Sequence, residues 1–278
     1  MTSGATLASP LGPRLPRAFR RAGTTARGIA GVLILLVAWQ VSVPLVGLSS
    51  YFYPSPADVL RAFVDLARKG ILPVYLADSM GRYAIGLFAG ATLGIAFGVA
   101  IGMHRRIALA LSPLLKFLFA IVEVAWIPIF VVWFGYGIET IVLALIYIVF
   151  FPVLYNTLLG VRTAPQILVN AVRSLGASRL AVLRLVILPS ALPGIITGLR
   201  LGAGFAFRGL VFAEMVAAKT GIGYLIFDGA QSHDTARTIV GMIVMGLLWL
   251  AIDQFYLRPI ERATIQRWGL TVDAEDRR

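Results

Sequence analysis

The sequence predicts an all-α polytopic membrane protein with about six transmembrane helices, and three observations lead there. Hydrophobic residues make up 59% of the chain and charged residues only 14%, about half the charged share of a soluble domain. The apolar residues are gathered into runs that reach the roughly 18–20 residues needed to cross a bilayer, and mean hydropathy is +0.86. The excess of Lys and Arg (25 against 13 Asp and Glu) collects in alternate loops, as in a chain oriented in a membrane. It is not spread like a nucleic-acid footprint, so no nucleic-acid partner is expected.

Residues 1–27 form a basic tail rich in Pro, Gly and Arg. It holds Arg14, Arg17, Arg20, Arg21 and Arg27 and no acid, a composition expected to take order only against lipid headgroups. The first span, 28–48, has the basic start and apolar core of a secretory signal. About 20 apolar residues are too many for a signal core, and further spans follow, so it reads as an uncleaved helix. The others cover approximately 83–103, 114–134, 138–159, 188–215 and 239–256, and a tail of 258–278 follows the membrane domain of 28–257.

The Lys/Arg bias orients these spans. Arg105, Arg106 and Lys116 follow the second span; Arg162, Arg173, Arg179 and Arg184 follow the fourth with no acid among them. The alternate loops contain Asp58, Asp65, Asp78, Glu139, Asp228 and Asp234. Both termini and the loop between the fourth and fifth spans are therefore expected in the cytoplasm. Arg258, Arg262 and Arg267 after the last span agree.

The second span carries Gly86, Gly90, Gly94, Gly98 and Gly102. Four residues advance 400°, so this stripe drifts about 40° per step around the helix. Small residues let a neighbouring backbone approach closely. The stripe is either a packing surface within the subunit or a face along which a helix slides.

Charges inside the spans are costly and so mark candidate function. Glu123 lies near the middle of the third span with Trp126, Pro128 and Trp133; Pro128 can free a carbonyl and kink that helix. The fifth span holds Arg200 and Arg208, about 80° apart around the helix, and ends near Glu214. Asp253 lies late in the sixth. One reading is structural: Glu123 pairs with an arginine, Asp253 reaches the interface, and the tryptophans pack. The other makes Glu123, Trp126, Pro128, Arg200, Arg208 and Glu214 a pathway in which arginine attracts an anion through charge-assisted hydrogen bonds.

Catalytic chemistry is missing. With no cysteine, disulfides, iron–sulfur clusters and thiol catalysis are excluded. His104 and His233 lie in different loops, without metal-ligand spacing. None of Lys69, Lys116 and Lys219 follows a glycine, so no GxxxxGK[ST] phosphate loop exists, and HExxH and GxSxG are absent. The chain is expected to be no enzyme and to hold no cofactor. Residues 168–189, LVNAVRSLGASRLAVLRLVILP, instead read as a helical elbow. A short amphipathic helix stops at Gly176, and a second helical segment, 178–188, leads to Pro189. Such an elbow is what a soluble partner needs to push against.

With these residues in hand, the chain resembles the permease subunits of binding-protein-dependent ABC importers, specifically the nitrate/sulfonate/taurine/bicarbonate group. The resemblance spans nearly all of residues 51–256. Members carry a loop patterned EAA, three residues, Gly, nine residues, then Ile-x-Leu-Pro. Here the matching residues are Asn170-Ala171-Val172, Gly176, Val186, Leu188 and Pro189, with Asn170 in place of the family's Glu and Val186 in place of its Ile. Tyr53-Pro54-Ser55-Pro56, Ser79, Arg82, Ile127-Pro128-Ile129, Trp133-Phe134-Gly135, Gly198-Leu199-Arg200, Ala213-Glu214-Met215 and Gly221-Ile222-Gly223 also match.

The resemblance implies a type I importer-like fold with a cytoplasmic coupling loop at about 160–187. Asn170, Ala171, Val172, Leu175, Gly176, Ala177, Leu180, Leu188 and Pro189 would be its ATPase-coupling residues. It implies a cytoplasmic ATPase subunit that binds the ATP, an extracytoplasmic solute-binding protein, and a pore made with a second copy or a related permease in a bacterial inner membrane. The solute would be a small anion such as nitrate, a sulfonate, bicarbonate or an organic carboxylate, although the family pattern also serves uncharged heterocycles. The alternative from the residues alone is a secondary transporter or channel working without an ATPase. That reading calls for an inverted repeat with broken helices, which the sequence does not display. A membrane-embedded enzyme or scaffold is disfavoured by the missing catalytic set.

Overall fold

Backbone hydrogen bonds close within helices along almost all of the described residues, as a hydrocarbon surrounding demands. The computed structural model describes residues 17–47 and 49–259; the terminal tails predicted at 1–27 and 258–278 fall largely outside them. The elements are α1 (Arg17–Val46), α2 (Pro56–Arg68), α3 (Ile71–Met103), α4 (Arg105–Ala120), a 3-10 turn (Glu123–Trp126), α5 (Ile127–Phe134), α6 (Ile138–Arg162) and α7 (Gln166–Ser174). There follow α8 (Arg179–Val182), a π-turn (Leu183–Ile187), α9 (Leu188–Ala217), α10 (Ile222–Gln231), α11 (Thr235–Ile252) and a second π-turn (Asp253–Leu257).

The chain forms two compact units that divide after Asp58. In the first, the apolar stretch of α1 runs over Ala30–Val46. Ser55 then starts α2 in a reciprocal cap. Its Oγ accepts from the Asp58 amide at 3.2 Å, while the Asp58 carboxylate accepts from the Ser55 amide at 2.9 Å. Two orphan amides are thereby satisfied, and Pro56 at the first helical position has none to satisfy.

In the second unit α6 is the centre. Ile141, Leu145, Val149, Val153 and Leu154 on it are fully buried. The predicted glycine stripe of α3 lies against it in an even register: Gly86 on Leu145, Gly90 on Val149, Gly94 on Val153, Gly98 on Thr157 and Gly102 on Val161. Both helices advance together, so they run parallel. A Cβ at Gly94 would fall 2.8 Å from the Val153 Cβ and 2.9 Å from the Phe150 carbonyl oxygen, which leaves room for hydrogen only. The stripe is thus a packing surface inside the subunit.

On the other side, α9 runs antiparallel to α6. Gly194 and Gly198 of α9 close on the Asn156 and Pro152 carbonyls. In turn α11 runs antiparallel to α9, with Trp249 against Gly204 and stacked at a tilt on Phe207, centroids 5.2 Å apart. The loops holding Arg105, Arg173 and Arg258 therefore share one end of this unit.

Among the described residues, four helical stretches are long and apolar enough to cross a membrane: Ile71–Met103, Ile138–Arg162, Arg179–Ala217 and Thr235–Leu257. A fifth arises if α4 and residues 123–134 count together, and these meet at an 89° bend. Three expectations change here. The predicted span 114–134 is broken, because the β-branched pair Ile121 and Val122 takes extended backbone, ψ 126° and 128°. Glu123 therefore opens a 3-10 turn rather than sitting mid-helix. Nor does Pro128 make the kink. It occupies the first turn of α5, where a missing N–H costs nothing, and the Val124 carbonyl is taken by the Ile127 amide. The second span also starts at Ile71 rather than 83, since Asp78, Ser79 and Arg82 remain helical despite their polarity.

Candidate functional site

The elbow is built as its residues dictate. α7 ends in a Schellman closure: the Gly176 amide donates to the Arg173 carbonyl at 2.9 Å and the Ala177 amide to the Val172 carbonyl at 3.3 Å. That closure needs a left-handed residue, and Gly176 supplies it with φ +80°. A Cβ there would touch nothing within 4 Å, so the demand is conformational and not spatial. Val172 and Ala177 pack with Val169, Val182 and Val186 inside the bend. Ser178 then caps the second limb, its Oγ accepting from the Ala181 amide at 3.2 Å.

Pro189 does not begin a new helix. Residues 179–217 form one continuous helical stretch, because a π-turn precedes the proline and the Leu188 amide reaches back to Leu183. The wider turn makes room for a ring that has no N–H and would press on the preceding turn. Outside the bend, Asn170, Ala171, Leu180 and Leu188 are exposed, and Leu175 is 87% exposed. Asn170 makes no side-chain hydrogen bond among the described residues. The elbow thus offers a basic, carboxylate-free surface, with Arg173, Arg179 and Arg184 exposed beside Leu175 and Leu180, on a stiffened base.

The six candidate pathway residues fall into separate places. Glu214 is fully buried. Its carboxylate accepts from Ser79 Oγ at 2.9 Å, from Arg82 Nη1 at 2.7 Å and from the Gly223 amide at 2.9 Å. Arg82 also donates to the Thr220 carbonyl and hydroxyl at 2.7 and 2.8 Å, and the Ile222 amide donates to Ser79 at 2.9 Å. Gly221, φ +115°, passes so close that a Cβ would lie 2.5 Å from Glu214 Oε1. This network ties α3, α9 and the α9–α10 turn together and leaves Glu214 with no exposed surface.

Arg200 belongs to another pair, with Nη2 3.5 Å from Asp253 Oδ1, while Arg258 Nε donates to the same carboxylate at 2.8 Å. Trp126 packs among aromatic rings, 6.0 Å from Phe130 and 5.4 Å from Tyr147. Pro128 is exposed in the first turn of α5.

Glu123 and Arg208 remain, and they share a cavity of about 220 Å³ with Val124, Ile148, Phe205, Gly209 and Phe212. The two charges form no ion pair with each other or with any described residue. Phe205, Arg208, Gly209 and Phe212 stand at i, i+3, i+4 and i+7, so they occupy one face of α9. Leu201 and Val216 extend that face, exposed like the two phenylalanines. Sequence reasoning missed Phe205 and Phe212, which this spacing around Arg208 could have flagged. Ser79 and Arg82 appeared only as matches to a pattern; a positive charge in an apolar helix facing a buried Glu214 was their signal.

This architecture has known counterparts. Residues 90–258 match the family of binding-protein-dependent transport system inner membrane components. The chain is 35% identical to the taurine transport system permease protein TauC of Escherichia coli strain K12, over 84% of this chain and 86% of that one. It is 33% identical to the bicarbonate transport system permease protein CmpB of Synechococcus elongatus, over 87% and 88%. In fold it is similar to a chain of the inward-facing MetNI methionine ABC transporter, with TM-score 0.61 at 18% identity, over 71% of this chain and 98% of that one. Nothing here supports a transporter working without an ATPase, and the family implies an ATPase and a solute-binding protein as partners. The chain belongs to the binding-protein-dependent inner-membrane component family and is a multi-pass permease subunit of an ABC importer.

Proposed function

We propose that this permease moves a small anion, such as a sulfonate, bicarbonate, nitrate or an organic carboxylate, past Arg208. One observation carries the reading: Arg208 is the cation on an otherwise apolar exposed face of α9, in a cavity and without a carboxylate bound to it. An arginine so placed offers charge-assisted hydrogen bonds to an oxyanion, and Glu123 across the cavity limits how tightly the anion is held. The taurine and bicarbonate permeases among its relatives favour the same class.

The exposed apolar face of α9 suits a second copy, or a related permease, with which the pore is completed within membrane lipid. The elbow from α7 to α8 faces the cytoplasm with both termini and docks the ATPase through the surface around Gly176 and Leu175. ATP is bound and hydrolysed by that partner, and this chain holds no cofactor. The binding protein delivers solute at the opposite end. The test is ATP-driven uptake by the importer reconstituted with its ATPase and binding protein. Arg208→Gln is expected to reduce uptake of the anion on the order of tenfold or more, the worth of a hydrogen bond to a charged group, with the complex still assembled. Unchanged uptake overturns the role of Arg208.

A further inference from the structure

A second, larger void lies at the basic end of the α3–α6 pair, where α4 stands off from the close contact of its neighbours. It encloses about 430 Å³ beside Lys116, Ser112, Tyr155 and Arg162. It continues through Ala108, Ser112 and Arg162 into a space of about 470 Å³ that reaches Arg105. Arg105, Ser112 and Lys116 line one side of α4, and Arg162 is the last residue of α6. Three cations therefore border connected cavities whose linings contain no carboxylate. None of the three forms an ion pair with a described residue.

The remaining lining is apolar. Leu109 and Leu159 border the two cavities and are 68% and 62% exposed. Residues 105–116 cover roughly 16 Å along the helix axis, more than a free ion needs and about the depth from a headgroup into the first part of an acyl chain. Basic pockets between transmembrane helices are where acidic headgroups are held, and cations without counter-charge in a half-apolar cleft call for an amphiphilic anion.

We propose that the cavity between α3, α4 and α6 binds the headgroup phosphate of an acidic phospholipid. Arg162 and Ser112, which border both spaces, hold the oxyanion, Arg105 and Lys116 add positive charge on either side of it, and Leu109 and Leu159 border the chain. This site is distinct from the cavity at Arg208 and does not depend on the solute assigned there.

The test uses the intact importer with its ATPase, purified in mild detergent and offered phosphatidylglycerol or phosphatidylcholine of matched chains, with retained lipid counted by native mass spectrometry. The wild type is expected to retain the acidic lipid on the order of tenfold or more above the neutral one. The combined variant Arg105→Gln, Lys116→Gln, Arg162→Gln should bring that ratio near unity, while Arg68→Gln, outside the cavity, leaves it intact. Ser112→Trp fills the cavity with its charges unaltered and should also lose the lipid, which keeps the test valid if the triple variant does not assemble. Equal retention by wild type, the triple variant and Ser112→Trp overturns the site. Displacement of the lipid by millimolar inorganic phosphate overturns the lipid as its occupant.

Discussion

A buried carboxylate held by a hydroxyl, a guanidinium and a backbone amide has little left to offer a passing solute. Glu214 is in that state, and its value is structural. Breaking a buried ion pair by removing one partner costs on the order of 3–5 kcal/mol, since the other charge is left uncompensated. Arg82→Gln should therefore lower the unfolding temperature of the detergent-purified protein markedly. Replacing both partners, Arg82→Leu with Glu214→Leu, should recover part of the loss; a double variant no better than Arg82→Gln would deny the pair its role. Glu214 was visible in the sequence as a charge ending an apolar stretch and Arg82 only as a match to a pattern, and a partnership across 132 positions leaves no local trace. Gly176 was legible for the opposite reason. Its closure involves only residues 172–177, and the pattern of an amphipathic turn followed by Gly announces it.

At the level of elements, the α3–α6 contact is decided by what glycine lacks. Gly94→Leu cannot be accommodated without moving α3 off Val153 and the Phe150 carbonyl, and overpacking of this kind costs about 1–3 kcal/mol or more. The expected result is a loss of folded protein in the membrane fraction. Gly81→Leu, where an added Cβ meets nothing within 4 Å, should be tolerated, and equal behaviour of the two would sink the argument. The elbow makes a sharper prediction. Proline fixes φ near −65°, which the +80° of Gly176 excludes, so Gly176→Pro should abolish ATP-driven uptake while the protein stays in the membrane. Undiminished uptake would mean that coupling does not run through the elbow. Hydropathy found the apolar runs but could not see the break at Ile121 and Val122, because residues on both sides are equally apolar. Backbone conformation, and not composition, ends α4.

For the whole molecule, the alternation of basic loops becomes a testable orientation. The parallel and antiparallel registers put the loops of Arg105, Arg173 and Arg258 at one end of the helical unit, and the chain has no cysteine to interfere with labelling. In intact cells a membrane-impermeant maleimide should react with Tyr136→Cys and not with Leu175→Cys until the membrane is opened. Both native residues are well exposed, at 71% and 87%. The reverse pattern would invert the topology and remove the elbow from the ATPase. The helical stretch from Arg179 to Ala217 has a further consequence, since it is uninterrupted and carries the elbow's second limb at one end and Arg208 toward the other. Reciprocity between linked sites then sets a quantitative condition. If, as proposed, the elbow docks the ATPase and Arg208 meets the solute, whatever factor ATPase docking applies to the affinity for solute, solute must apply to the affinity for the ATPase.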